Sequence, residues 1–347
     1  MDPCFAGTRE NPIWTGAEAC AEMTAGAARS NLTPALSSKE PGVHRIVSLL
    51  PSATEIVCAL GFESQLIGRS HECDYPAAVA RLPALTEPKF NPDRPSAEID
   101  REVRRIVGEA LSVYRVDAQK LRDLAPDVIV TQSQCEVCAV SERDVEDAVG
   151  TWLGVRPQIV SLAPYALADI FADIERVARA LGEPTRGAEL VGRLMARMDA
   201  VAARARRVAA RPTLACIEWL DPLMSAGNWM PEMVEMAGGT NLFGRAGEHS
   251  GWLELNALVA ADPDVILVAP CGFNMRHTMA ELPALGARPG WTSMRAVREG
   301  RVFVAEGSQY FNRPGPRIAD SLEILAEILH PELFRFGHEG TGWHRAA

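Results

Sequence analysis

From Arg45 onward the chain runs one order of strand and helix signals twice. Ala125-Pro126-Asp127-Val128-Ile129-Val130 is matched by Asp262-Pro263-Asp264-Val265-Ile266-Leu267, each behind a Leu-bearing helix signal and ahead of a cysteine. Residues 45–68 read strand, turn, helix, Gly, then Leu-Ile-Gly; residues 213–244 read strand, longer turn, helix, Gly-Gly, then Leu-Phe-Gly. Two matches in the same order predict two lobes of similar α/β topology. Strands are expected over 45–50, 65–69, 127–131, 158–162, 213–218, 264–269 and 301–305. These Val/Ile/Leu runs lack clean alternation, as in strands covered on both faces, so each lobe should hold a Rossmann-like sheet. Ser52 followed by Glu55 forms a capping-box pattern ahead of Ile56, Val57 and Leu60, with Gly61 as the stop. Pro231 opens and Gly238 closes a second helix, Pro in front and Gly behind.

A chain of 347 residues exceeds one ordinary core. The expected division is a poorly ordered extension over 1–42, an N-terminal lobe over 43–163, a connecting helix over 164–184, a C-terminal lobe over 185–337 and a tail over 338–347. In the connection, Leu167, Ile170, Phe171, Ile174, Val177, Ala178 and Leu181 recur at helical spacing up to Gly182-Glu183-Pro184. A second helix signal follows from Leu190 to Val201. No Gly/Ser-rich linker separates the lobes, so the joint should be stiff and hinge motion small. With 47% hydrophobic and 23% charged residues the chain reads as globular and not disordered. A net charge of −10 argues against a nucleic-acid partner. Without an apolar run of about 18 residues no membrane span is expected. Residues 1–42 offer neither a basic start nor an unbroken apolar stretch, so the expected location is cytoplasmic, or periplasmic if the true start lies elsewhere.

In open α/β sheets ligands bind beyond the carboxyl ends of the strands. The residues there are Pro51, Ser52 and Thr54; Ser70 to Pro76; Gln132 to Cys138; Glu218 to Pro222; Pro270 to Phe273; and Gln309 to Arg317. Of 8 cysteines, Cys73, Cys135, Cys138 and Cys271 fall in these loops. Thiolates suit zinc or an iron–sulfur cluster, and Cys135-x-x-Cys138 has chelate spacing, which His71, Cys73 and Cys271 could complete. The alternative is cysteines packed at a helix start, or a redox pair. Cys58 and Cys216 fall in core segments, and Cys4 and Cys20 in the extension. Trp219, Trp229, Trp252, Tyr310 and Phe311 lie in or beside the same turns, where rings either pack or face a large flat ligand. Arg313 and Arg317 either pair with ligand anions or form a salt bridge that fixes the Pro-rich turn. No nucleophile elbow, Walker loop or dinucleotide fingerprint occurs, so no enzymatic activity is expected.

The segment from Arg45 through Ser52 to Glu55, with Leu66-Ile67-Gly68, Asp74-Tyr75-Pro76, Pro126-Asp127-Val128-Ile129, Gly238-Gly239-Thr240-Asn241-Leu242-Phe243, Trp252 and Arg313-Pro314-Gly315-Pro316-Arg317, resembles the vitamin B12-binding proteins of ABC importers. The resemblance spans residues 43–336 and implies the helix-linked (class III) periplasmic-binding-protein fold, with a corrinoid held between the lobes. It implies that Trp252 lines the pocket and that Tyr310 and Phe311 lie on the last ligand loop; from the loops beyond the strands, Ser52, Tyr75, Trp219, Trp229 and Arg313 are expected as further contacts. The chain departs from the family in three ways. No export signal is visible. The importer-docking glutamates fall near Gln119 and Asn256, with Glu254 as a substitute, which weakens pairing with transporter arginines. His71-x-Cys73, Cys135-x-x-Cys138 and Cys271 resemble a cysteine-containing branch. The expected function is non-catalytic binding of cobalamin or a related metal chelate. The alternative is a cytosolic metalloprotein holding zinc or an iron–sulfur cluster through His71, Cys73, Cys135, Cys138 and Cys271.

Overall fold

The structure is a computed structural model and describes residues 44–109, 112–134, 142–150 and 156–346. In the first half β1 (Ile46–Ser48) leads into α1 (Pro51–Ala59) and β2 (Leu66–Arg69). Next come β3 (Thr86–Pro88), α2 (Ser96–Gly108), β4 (Tyr114–Val116), α3 (Ala118–Leu124), β5 (Val128–Gln132), α4 (Glu142–Val149) and β6 (Gln158–Leu162). A parallel sheet runs in the order β2-β1-β5-β6, while β3 and β4 pair antiparallel outside it. Two helices, α5 (Leu167–Ala180) and α6 (Pro184–Ala205), carry the chain into the second half. There β7 (Thr213–Leu220), β8 (Leu223–Ser225), α7 (Met230–Met236), β9 (Thr240–Asn241), β10 (Gly251–Trp252), α8 (Leu255–Ala261) and β11 (Val265–Val268) follow in order. The half closes with α9 (Met275–Gly286), α10 (Arg295–Arg298), β12 (Val302–Ala305), α11 (Ile318–Leu329) and β13 (Trp343–Arg345).

The second sheet repeats the first. Strands β9, β7, β11 and β12 are parallel neighbours in the same sequence as β2, β1, β5 and β6, and antiparallel strands β8, β10 and β13 extend the two sides. The repeat extends to single dihedrals. Ala125 (φ 40°, ψ 61°) ends α3 and Asp262 (φ 42°, ψ 62°) ends α8, both left-handed, a conformation that costs a non-glycine residue roughly 1 kcal/mol. Two residues on, Asp127 accepts the N–H of Arg45 and Asp264 that of Thr213, each at 2.9 Å. Each carboxylate thus pins the start of its lobe's first strand. The two lobes are therefore Rossmann-like units of one design.

The connection holds a helix at each of the two segments whose spacing predicts one. Helix α5 stops before Gly182, whose φ of +77° turns the chain, and the 22-residue α6 is the long element that leads into the second sheet. α5 packs on α1, and α6 packs on α5, α7 and α11. Their apolar faces form one continuous core that includes Ile56, Ile174, Leu194, Val234 and Leu325. A core shared across the joint resists hinge bending, because bending would separate close-packed side chains. No helix among the described residues is long and apolar enough to cross a membrane.

Two local expectations are corrected. Ser52 is not the cap of α1: Pro51 begins the helix and Leu50 precedes it, because proline's fixed φ suits the first helical position. The described residues of the expected tail, 338–346, include an element of the second sheet, since β13 pairs with β12. The Glu327 carboxylate anchors that segment, accepting from Gly337 N at 2.6 Å, His338 N at 3.3 Å and Trp343 Nε1 at 2.9 Å.

Candidate functional site

Loops from the carboxyl ends of β1, β2 and β12 meet at a seam between the lobes. Glu55, on α1 and 3% exposed, accepts from Arg317 Nε at 2.9 Å, Arg317 Nη2 at 2.6 Å and Arg313 Nη1 at 3.0 Å. Arg313 also pairs with Asp74 at 2.6 Å. The Arg317 guanidinium lies over the rings of Tyr75, 4.2 Å from its centroid, and Tyr310, at 5.1 Å. A buried charge is costly unless paired, and the planar guanidinium fork meets both carboxylate oxygens at once. Beside this group the Glu72 carboxyl is pushed up to about 7 by burial, against the pull of Arg313. Of the two alternatives for Arg313 and Arg317, ligand anions or a salt bridge that fixes the Pro-rich turn, the salt bridge is present, with Glu55 and Asp74 as its anions. A lone carboxylate among Ile56, Val57 and Ala53 was the available signal, since such a position requires a cationic partner.

Further along the seam Trp219, half-buried, stands 5.1 Å from Phe273, which stacks on His277 with centroids 3.7 Å apart. Trp252, on edge strand β10, is 59% exposed and carries the Arg104 guanidinium of α2 at 4.8 Å. Gln134 Nε2 reaches Asn228 Oδ1 across the lobes at 3.4 Å.

The expected ligand residues separate into two sets. Tyr75, Trp219, Trp252 and Tyr310 keep surface at the seam; Tyr75 is 49% exposed. Ser52, Trp229 and Phe311 do not: they are 3%, 5% and 2% exposed. Trp229 Nε1 donates to the Phe311 carbonyl at 3.2 Å, and Ser52 lies under Gly315, so these three support the loops from behind. Arg313, also buried, is spent on Glu55 and Asp74.

The metal-ligand expectations fare differently. Cys135 and Cys138 lie outside the described residues. Cys73 is buried, accepts from the Thr54 hydroxyl at 3.0 Å and has its thiol pushed up to about 11 by burial, so without a metal it is a neutral thiol at neutral pH. His71 bonds Thr86 Oγ1 through Nδ1 at 2.8 Å, and burial lowers its pKa. Cys271 is half-buried at the second lobe's edge. Among the described residues the grouping of three ligand-type atoms within 4.8 Å is Asp320, Glu323 and His338, far in sequence from the cysteines and already bridged by Arg197 to Glu323 at 2.6 Å. Nothing in this geometry supports a zinc or iron–sulfur site on His71, Cys73 and Cys271.

A model of the periplasmic binding protein family matches residues 46–308. An ABC transporter substrate-binding lipoprotein of Bacillus subtilis (strain 168) is 24% identical over 305 residues, which is 86% of this chain and 82% of that protein. A vitamin B12-binding protein of Vibrio parahaemolyticus is 23% identical over 301 residues, 86% of this chain and 92% of its own. A solved periplasmic heme-binding protein of Pseudomonas aeruginosa shares the fold, with a TM-score of 0.63 at 21% identity over 87% of this chain and 98% of its own.

Proposed function

Because the chain belongs to the periplasmic binding protein family, a family of non-enzymatic substrate-binding proteins, we propose that its ligand is cobalamin or a related metal chelate held between the lobes. The observation that carries this reading is Trp252, an indole left 59% exposed beside the seam. A large ring in water gives up its apolar burial unless a ligand covers it. Tyr75, Tyr310 and Trp219 offer further rings along the same seam. Corrinoids and hemes are both broad, flat metal macrocycles, and relatives named for each support a ligand of that class. Arg313 and Arg317 act here by fixing the last loop on Glu55. The relatives' names also favour a place outside the cytoplasmic membrane over the cytoplasmic one, with an ABC importer as partner. Near the positions where the resemblance puts the family's docking glutamates, the surface presents exposed Gln119 and Asn256, with exposed Glu254 beside the latter. Importer docking through these two positions is accordingly weak.

The test is absorbance and tryptophan-fluorescence titration with cyanocobalamin and with hemin in parallel. Micromolar or tighter binding of one of them is expected, and Trp252→Ala should weaken it by about tenfold to a hundredfold, the range for a truncated aromatic anchor. If neither chelate binds at high micromolar concentration, the reading fails.

A further inference from the structure

With the lobes joined through one core and clasped by Glu55, Arg313 and Arg317, ligand entry must come from a local element and not from the lobes parting. One element crosses the seam from outside. Helix α2 belongs to an excursion whose two ends are tied together: Pro88 of β3 pairs with Tyr114 of β4, and Lys89 N donates to Val113 O at 2.9 Å. At its C-terminal end Ile106 is rooted in the N-terminal lobe, packed in the cluster that holds Leu85, Val113 and Leu121. At its N-terminal end Ile99 joins the second lobe's cluster with Leu220, Leu253 and Phe273. Glu281 of α9 then caps α2 across the seam, accepting from Ser96 N at 2.7 Å and Ser96 Oγ at 2.5 Å. His277 Nε2 backs the same carboxylate at 3.4 Å. Between these ends, Arg104 covers the face of Trp252.

We propose that α2 is a lid that pivots on Ile106, and that the cross-lobe cap of Ser96 on Glu281 is its catch. This rests on the seam being the ligand site. A carboxylate and a helix N-terminus are groups that water solvates as well as each other, so the catch opens without stranding a buried polar atom. The helix dipole strengthens it when shut, because Glu281 sits where the N-terminus favours negative charge. Lifting α2 withdraws Arg104 from Trp252 and frees the ring for a ligand; shutting it makes Ile99 part of the far wall again.

Hydrogen exchange on the full, ligand-free chain decides the matter without any ligand. Amides of residues 96–108 are expected to exchange together and faster than those of α6 and α11, by local opening. Glu281→Gln replaces one acceptor oxygen by a donor, and should raise exchange in α2 by about tenfold or more, the effect of losing one hydrogen bond to a charged group, while α11 is unchanged. Exchange of α2 as slow as that of α11, or no response in Glu281→Gln, overturns the lid. Stopped-flow mixing with cyanocobalamin and hemin should then show faster association with Glu281→Gln than with the parent chain. If the parent binds neither probe, the proposed ligand class is wrong, and the exchange data still stand or fall for the lid.

Discussion

Glu55 sits in a helix whose neighbours Ile56 and Val57 are fully buried, and its two oxygens are satisfied only by arginines from the other lobe. Glu55→Ala leaves the Arg317 guanidinium in the interior without its anion and Arg313 with Asp74 alone, and is expected to destabilise the chain by about 3–5 kcal/mol in urea denaturation. A loss no larger than that of an exposed ion pair, under about 1 kcal/mol, would mean the arginines have other anions to turn to. Glu72 carries a pH dependence. Burial raises its carboxyl from 4.5 to about 7, so the folded chain holds that proton more tightly than the unfolded one. Its contribution is therefore present at acid pH and is lost as pH rises through the window from about 4.5 to about 7. Between pH 5 and 8 Glu72→Gln should flatten the stability profile relative to the parent by up to about 3 kcal/mol, discounted for the residue's partial exposure. Parallel profiles for the two proteins would refute the assignment. The thiol of Cys73 shows why a ligand motif is not read from spacing alone. Its side-chain type suits a metal, but the side chain lies buried and takes the Thr54 hydroxyl as its partner.

At the scale of elements, the repeated Pro-Asp strands carry the most consequence. Asp127 and Asp264 do the same work in the two lobes, and Asp264 also bonds the Thr213 hydroxyl at 2.8 Å. Each Asp→Ala change is expected to cost about 1–3 kcal/mol by thermal unfolding, with Asp264 the larger. Equal stability of Asp264→Ala and the parent would argue that the repeat is only a sequence echo. All seven strands read from the sequence are present, because buried parallel strands are written as Val/Ile/Leu runs that need no partner to be recognised. Helix α2 stands out least in the sequence. Its segment is dominated by charge at Asp100, Arg101, Glu102, Arg104 and Arg105, with a narrow stripe of Ile99, Val103 and Ile106. That spacing of four and three residues was the legible signal, thin because each end of the helix serves a different lobe.

For the whole molecule, one core running through α1, α5, α6, α7 and α11 makes the lobes a single cooperative unit. Calorimetry should show one unfolding transition, and two resolved transitions would mean that the lobes are held independently. The sequence by itself determined the two-lobe α/β design, the positions of its parallel strands along the chain and the loops that border the seam. These follow from local periodicity and from turn and capping residues, which act over a few positions. Tertiary structure alone decided which loop residues face the seam. Trp252 and Tyr75 stay exposed, whereas Trp229, Phe311 and Cys73 are buried, although all five lie in equivalent-looking turns. Only the folded chain brings Glu55 to Arg313 and Arg317, more than 250 positions away, and Ser96 to Glu281, 185 away. Burial and long-range pairing depend on how the elements pack against one another, which no stretch of local sequence encodes.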